Sequence, residues 1–189
     1  AIAGDGGSSG IEYLPTIAAT DSKAAWAKAD AVLGSRGLDR SHVVRAIEFL
    51  RPDAATQPSS DAAALQVIMP CLAEPNAAVQ LEIAVARSRT GGIHFVWAEA
   101  DTSKHGVVDQ CRDIYYRLGA MLKQAGAGFD AVVKTTEFIV PAALPDYRKT
   151  AELRREVFLM PYPAATGVIC ERLFHADATI AVEAIAVTE

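Results

Sequence analysis

Four short patterns recur in the same order along this chain, and a tandem repeat restricts the fold more than any other feature of a sequence. Gly10-Ile11-Glu12-Tyr13-Leu14 is echoed by Gly92-Ile93-His94-Phe95-Val96, and Asp21-Ser22-Lys23 by Asp101-Thr102-Ser103-Lys104. Gly37, Val43-Val44-Arg45 and Glu48-Phe49 match Gly126, Val132-Val133-Lys134 and Glu137-Phe138, every pair 89 residues apart. Leu81-Glu82-Ile83-Ala84-Val85 matches Val182-Glu183-Ala184-Ile185-Ala186, with the two glutamates 101 apart. The chain is a duplication: a leader over residues 1–9 that reads as flexible, a first copy over 10–89 and a second over 90–189.

The spacing between matched patterns shows where the copies differ. It widens by 8 residues between the Ser-Lys and Val-Val patterns, which predicts a first helix about two turns longer in copy two. It widens by a further 12 before the closing glutamates, where Leu144, Tyr147, Ala151, Arg154 and Phe158 fall at helical spacing. Copy one has Asp53–Ser60 there, rich in Pro, Ser, Ala and Thr, so its second helix is expected to be missing. Helices are expected over Ala24–Gly34 and Val107–Ala125, with Asp21 and Ser103 as N-caps and Gly37 and Gly126 just past the C-termini. Val108, Cys111, Ile114, Leu118, Met121 and Leu122 trace one apolar face of the longer helix. Ile11–Ala18, Val43–Leu50, Ile93–Glu99 and Val132–Val140 read as strands, and Val67–Leu72 with Val79–Ala86, and Gly167–Leu173 with Thr179–Val187, as antiparallel closing pairs. The fold class is α+β: two tandem modules, helices on one face of a mostly antiparallel sheet, the first module lacking its second helix.

Composition narrows the function classes. Hydrophobic residues make up 51% of the 189, enough for a packed core, and no apolar run nears the roughly 20 residues that cross a bilayer. A net charge of −5 with no Lys/Arg cluster argues against nucleic acid or a membrane as partner. Cys71, Cys111 and Cys170 are odd in number and widely spaced, which fits unlinked thiols and a cytoplasmic location. No secretory signal is read in Ala1–Gly10. The four histidines share no metal-ligand spacing with one another or with the cysteines, so no metal or cofactor is expected.

Copy two resembles the RidA (YjgF/UK114) family through Gly91–Val96, Ala125–Thr136 and Val182–Val187. The resemblance implies a chorismate-mutase-like fold, trimeric assembly with clefts between subunits, and hydrolysis of reactive enamines and imines to ketones and ammonia. In the family an arginine ahead of the Gly-Val strand holds the substrate carboxylate; the matching positions here are Pro163 and, in copy one, Ala62. The family's catalytic glutamate falls on Ala181 and Gln80, and its Ser-Gly on Trp97-Ala98. The expected assembly is a homo-oligomer, with a trimer of two stacked module layers favoured over a pseudo-symmetric monomer.

The candidate catalytic residues are Glu183, Tyr162 and His175, and the candidate substrate-binding residues are Trp97, Ala98, Arg172 and Cys170. Glu183 reads either as a displaced general acid/base or as a structural glutamate at an interface, since Glu82 repeats it. His175 reads as an acid–base candidate and Arg172 as a substitute for the missing fork; the bland reading is a surface pair Glu171-Arg172 with Cys170 as a small core residue. Backbone N–H groups near Ala98 are expected to polarise the substrate. Trp97 and Phe95 read as pocket wall or as core, the Ser-Lys pairs as helix caps rather than nucleophile dyads, and Arg148, Arg154 and Arg155 as a solvated helix surface. The functional expectation is a RidA-like hydrolase acting on an imine, enamine or similar small electrophile; the alternatives are a non-catalytic binding module and a structural one.

Overall fold

The computed structural model describes residues 10–54, 64–87 and 92–188. Residues 1–9, Ala62 and most of the Asp53–Ser60 segment lie outside them. In chain order the elements are β1 (Ile11–Tyr13), β2 (Ile17–Ala19), α1 (Ser22–Ser35), β3 (Val43–Leu50), β4 (Leu65–Ile68) and β5 (Val79–Ala86). Copy two follows with β6 (Ile93–Glu99), α2 (Gly106–Gln124), β7 (Val132–Ile139), α3 (Leu144–Tyr147), α4 (Thr150–Val157), β8 (Ala164–Ile169), β9 (Arg172–Leu173) and β10 (Ile180–Val187). One sheet runs β1-β5-β3-β4-β9, with β2 also on β5; the other runs β6-β10-β7-β8. The repeat is therefore visible in topology: β1/β2, β5, β3 and β4 stand in the order of β6, β10, β7 and β8.

Three expectations are corrected. The first strand breaks into β1 and β2 around Pro15, whose missing N–H cannot join a ladder. The closing strands do not pair with each other. Instead β8 lies parallel to β7, and β4 parallel to β3, with β10 and β5 antiparallel on the far side. A chain that leaves β7, forms α3 and α4 and returns to the same sheet is a crossover, and crossovers make parallel neighbours. The expected strand Gly167–Leu173 splits, because β9 leaves its own sheet to pair antiparallel with β4 through Val67↔Leu173 and Ile68↔Arg172. That exchange ties the copies together.

Asp21 caps α1 as expected, its Oδ1 accepting the Ala24 N–H at 2.7 Å. Ser103 does not cap α2: it lies in a turn closed on Asp101 Oδ1, and the helix starts at Gly106. With Ser22 matched to Cys111, the added length is Gly106–Gln110, about a turn and a half rather than two. Gly37 and Gly126 have φ of 68° and 75°, the left-handed value a side chain resists. Val107, Cys111, Ile114, Leu118 and Leu122 are buried from α2 as the periodicity requires, whereas Met121 is 37% exposed.

A buried acid organises each copy. In copy two Glu137 accepts from the Tyr115 hydroxyl at 3.0 Å, from the Tyr147 hydroxyl and from Arg154 Nη1 at 2.9 Å. In copy one the matched Glu48 accepts from Trp26 Nε1 at 2.5 Å, Gln66 Nε2 at 2.6 Å and Ser22 Oγ at 3.2 Å. Trp26 and Tyr115 are themselves matched positions, so each first helix hands an aromatic donor to the acid on the adjacent strand. Gln66, on β4, takes the place of the cation that α4 supplies in copy two. Arg154, expected on a solvated face, is thus turned inward by a carboxylate that burial would otherwise leave unpaired.

The faces without helices meet. Ile47, Leu65 and Val67 of copy one share a core with Phe138, Leu173 and Ala181 of copy two, and the matched Phe49 and Phe138 rings lie 6.2 Å apart. At the other end of copy two Gly92 has φ 84°, and a Cβ there would sit 2.1 Å from the Thr188 carbonyl oxygen. Gly92→Ala is expected to destabilise the fold by more than about 2 kcal/mol, since strain and a backbone clash combine. A lowered urea midpoint with unchanged slope is the readout.

Candidate active site

A cleft of about 750 Å³ straddles the outer edge of β6. Among the described residues strand β6 pairs only with β10, so half of its backbone groups face outward. The Ala100 N–H bonds Ile180 O at 3.2 Å and the Thr188 N–H bonds Gly92 O at 2.7 Å, which sets the phase of the ladder. By alternation Ala98 exchanges its bonds with Val182, while Trp97 and Glu99 point theirs into the cleft. Ala98 lines the cleft but its own N–H belongs to the sheet, and the outward N–H groups beside it are those of Trp97 and Glu99.

Period-2 alternation puts Phe95, Trp97 and Glu99 on one face of β6, and Arg117 and Met121 approach from α2 on the other. The half-buried Glu99 accepts the His175 backbone N–H on Oε1 at 2.9 Å. Burial pushes its carboxyl above the usual range; the His175 N–H and the positive charges of His175 and Arg117 offset only part of that. Arg117 donates through Nε to Asp113 Oδ2 at 2.8 Å and through Nη2 to the Glu99 carbonyl, so its two-pronged edge is divided between two protein groups. The turn carrying His175 is anchored by buried Gln110, which donates to Asp177 O at 2.9 Å and accepts the Thr179 N–H at 2.8 Å.

Of the residues singled out by sequence, Trp97, Ala98 and His175 converge here. The others do not. Tyr162 is 53% exposed beside a separate groove of about 230 Å³ that it lines with Pro163, Arg154 and Arg155. Cys170 is 1% exposed, and burial pushes its thiol up to about 11, the state of a small core residue rather than a ligand group. Arg172 is committed to β9 against Ile68. Glu183 is buried between the sheets, its carboxylate gripped by Arg45 at 2.5 and 3.1 Å. Ala181, at the family's glutamate position, is fully buried.

Glu99 and Arg117 were not singled out. Glu99 stands two residues beyond Trp97 on the same face, and Asp113 and Arg117 have the i,i+4 spacing of a helical ion pair, so each left a local trace. Among the described residues no cluster of three or more His, Cys, Asp or Glu is placed to hold a metal ion. No described helix is long and apolar enough to cross a membrane.

Residues 90–188, more than half of the chain, match the endoribonuclease L-PSP family. The chain belongs to that family. Solved structures of YjgF/RidA proteins cover about half of this L-PSP family chain. One from Mycobacterium tuberculosis, a member of the YjgF/YER057c/UK114 family, is 26% identical over 53% of this chain and 82% of its own, with a TM-score of 0.47. A YjgF family protein from Neisseria meningitidis is 16% identical over 56% and 84%, TM-score 0.47. RidA from an Antarctic Psychrobacter is 22% identical over 45% and 67%, TM-score 0.42. Among curated proteins none matches the chain. This member of the L-PSP family thus carries the family's module in its second copy, and a cleft at the outer edge of that copy's first strand.

Proposed function

We propose that the β6 cleft hydrolyses the C=N bond of small imines, and of enamines once they have tautomerised to the imine. The observation that carries this reading is Glu99: a carboxyl kept protonated to higher pH by burial, in a cleft wide enough for a small substrate and its attacking water. Protonated Glu99 gives its proton to the imine nitrogen, which makes the carbon more electrophilic. Water then attacks that carbon, and the Glu99 carboxylate takes the proton the water loses. Glu99 gives that proton to the nitrogen of the tetrahedral adduct, the C–N bond breaks with its electron pair on nitrogen to release the amine, and the hydroxyl proton passes to the Glu99 carboxylate as the carbonyl forms, which restores the acid. Outward N–H groups of Trp97 and Glu99 are available to orient the substrate, and Trp97 supplies an apolar wall.

The Nε–Nη2 edge of Arg117 is already divided between Asp113 and the Glu99 carbonyl, and position 163 carries a proline, which supports a substrate without an α-carboxylate. Glu99 and Asp101 beside the cleft, with a net charge of −5, work against a polyanionic RNA substrate. The same reading takes copy boundaries at 10–89 and 90–189, a trimer of chains and a cytoplasmic setting.

The test generates imines in place, from an amine oxidase for carboxylate-free ones and an amino-acid oxidase for 2-imino acids, with semicarbazide competing for them. Suppressed semicarbazone formation, stronger for the amine-derived imines, is the expected result. No suppression with either source overturns the reading and leaves a binding cleft.

A further inference from the structure

A second cavity, of about 230 Å³, lies between the copies and shares Phe95 and Trp97 with the cleft. Arg45 of copy one reaches across it to Glu183 of copy two, Nε to Oε1 at 2.5 Å and Nη2 to Oε2 at 3.1 Å, with Glu82 Oε2 3.5 Å from Nη1. The Arg45 and Glu183 side chains are only 13% and 4% exposed. Such a buried pair is weak evidence for stability, because desolvation consumes most of its attraction and apolar residues of similar size serve as well. Its worth here is chemical. The fork uses one lone pair on each Glu183 oxygen, leaving acceptor capacity, and Nη1 retains donors that only the long Glu82 contact engages. Donor and acceptor therefore stand side by side on the cavity wall.

The other walls are aromatic: Trp26, Phe95 and Trp97. Arg40 lies over the Trp26 ring at 4.8 Å and is clipped to Asp30 at 2.7 and 2.8 Å, so that wall is preorganised. Both arginines have carboxylate partners, which leaves no unpaired positive charge for an anionic ligand to balance. The volume is below the range of about 300–1,000 Å³ that takes drug-sized molecules, and fits one or two fused rings. We propose that this cavity binds a planar, neutral heteroaromatic molecule carrying a lactam edge. Its ring packs on Trp97 and Phe95, its N–H donates to Glu183 and its C=O accepts from Arg45.

Both of the chain's two tryptophans line the cavity, so their emission reads occupancy directly. The probe is 4-pyrimidinone, with 4-methoxypyrimidine as a control of the same shape that lacks the N–H. The expected result is a saturable change in emission with the lactam and at least tenfold weaker binding of the ether. Val43→Phe, which fills the cavity and keeps the ion pair, is expected to abolish the response. The shape-preserving double change R45M/E183M is expected to weaken the lactam at least tenfold without affecting the ether. No saturable change in the wild type, equal affinity for the two probes, or a response unaltered in Val43→Phe overturns the proposal.

Discussion

Arg154→Met is expected to cost about 3–5 kcal/mol of stability, the largest loss among single substitutions on the exposed side of copy two, because it strips the cation from a carboxylate that is 2% exposed. Glu137 would keep two phenol donors, Tyr115 and Tyr147, but no opposite charge. The phenols cannot help by ionising: burial and the Glu137 charge push Tyr147 up to about 12 and Tyr115 further still. Copy one supplies the control. There the matched acid Glu48 is held by a glutamine, an indole and a serine, all neutral donors. Arg154→Gln is therefore expected to cost roughly half as much as Arg154→Met, if its amide reaches the same oxygens. Adding Glu137→Gln to Arg154→Met removes the buried charge and is expected to recover part of the loss. Urea titrations of the three variants decide it; no recovery on adding Glu137→Gln would show that packing of the Arg154 stem, and not its charge, carries the stability.

How much of this was legible in the sequence follows from what each feature depends on. Strands β3, β5 and β7 could be read because alternation and β-branching are local, and the left-handed glycines after each helix because only glycine takes that backbone cheaply. The parallel placement of β8 and the departure of β9 to the other sheet could not, since pairing partners are chosen through space. Arg154 misled for a related reason. In a run of interleaved charges every arginine looks solvated, and only the depth of Glu137 distinguishes the one that turns inward. Glu183 illustrates the converse. The repeat marked it correctly as special, but its counter-ion Arg45 lies 138 residues earlier, so its commitment to the interface between copies was invisible. Glu99 escaped because its burial depends on His175, 76 residues away, and not on its neighbours in the strand.

Glu99→Gln is expected to lower the rate of imine hydrolysis by about 10²–10⁴-fold, the usual contribution of a positioned acid–base group. Glutamine keeps the length of the side chain and its acceptor for the His175 N–H, so it removes proton transfer without removing the contact. The pH dependence gives the sign. Burial raises the Glu99 pKa in the folded protein, so the reactive protonated form persists above the ordinary carboxylate range and is lost as pH rises through the raised value. Activity in the wild type should fall on that limb, and the limb should be absent from the residual rate of the variant. Stability moves with it: an acid whose pKa is raised by folding contributes fully below its unfolded pKa and loses that contribution as pH climbs through the folded one. Wild type should accordingly lose stability across the interval where its activity falls, whereas Glu99→Gln, with nothing to ionise, should not. A variant that is inactive yet at least as stable as wild type at high pH separates a chemical role for Glu99 from a structural one. If instead the variant keeps wild-type activity, the acid in the cleft is a bystander and the catalytic assignment of the β6 cleft falls.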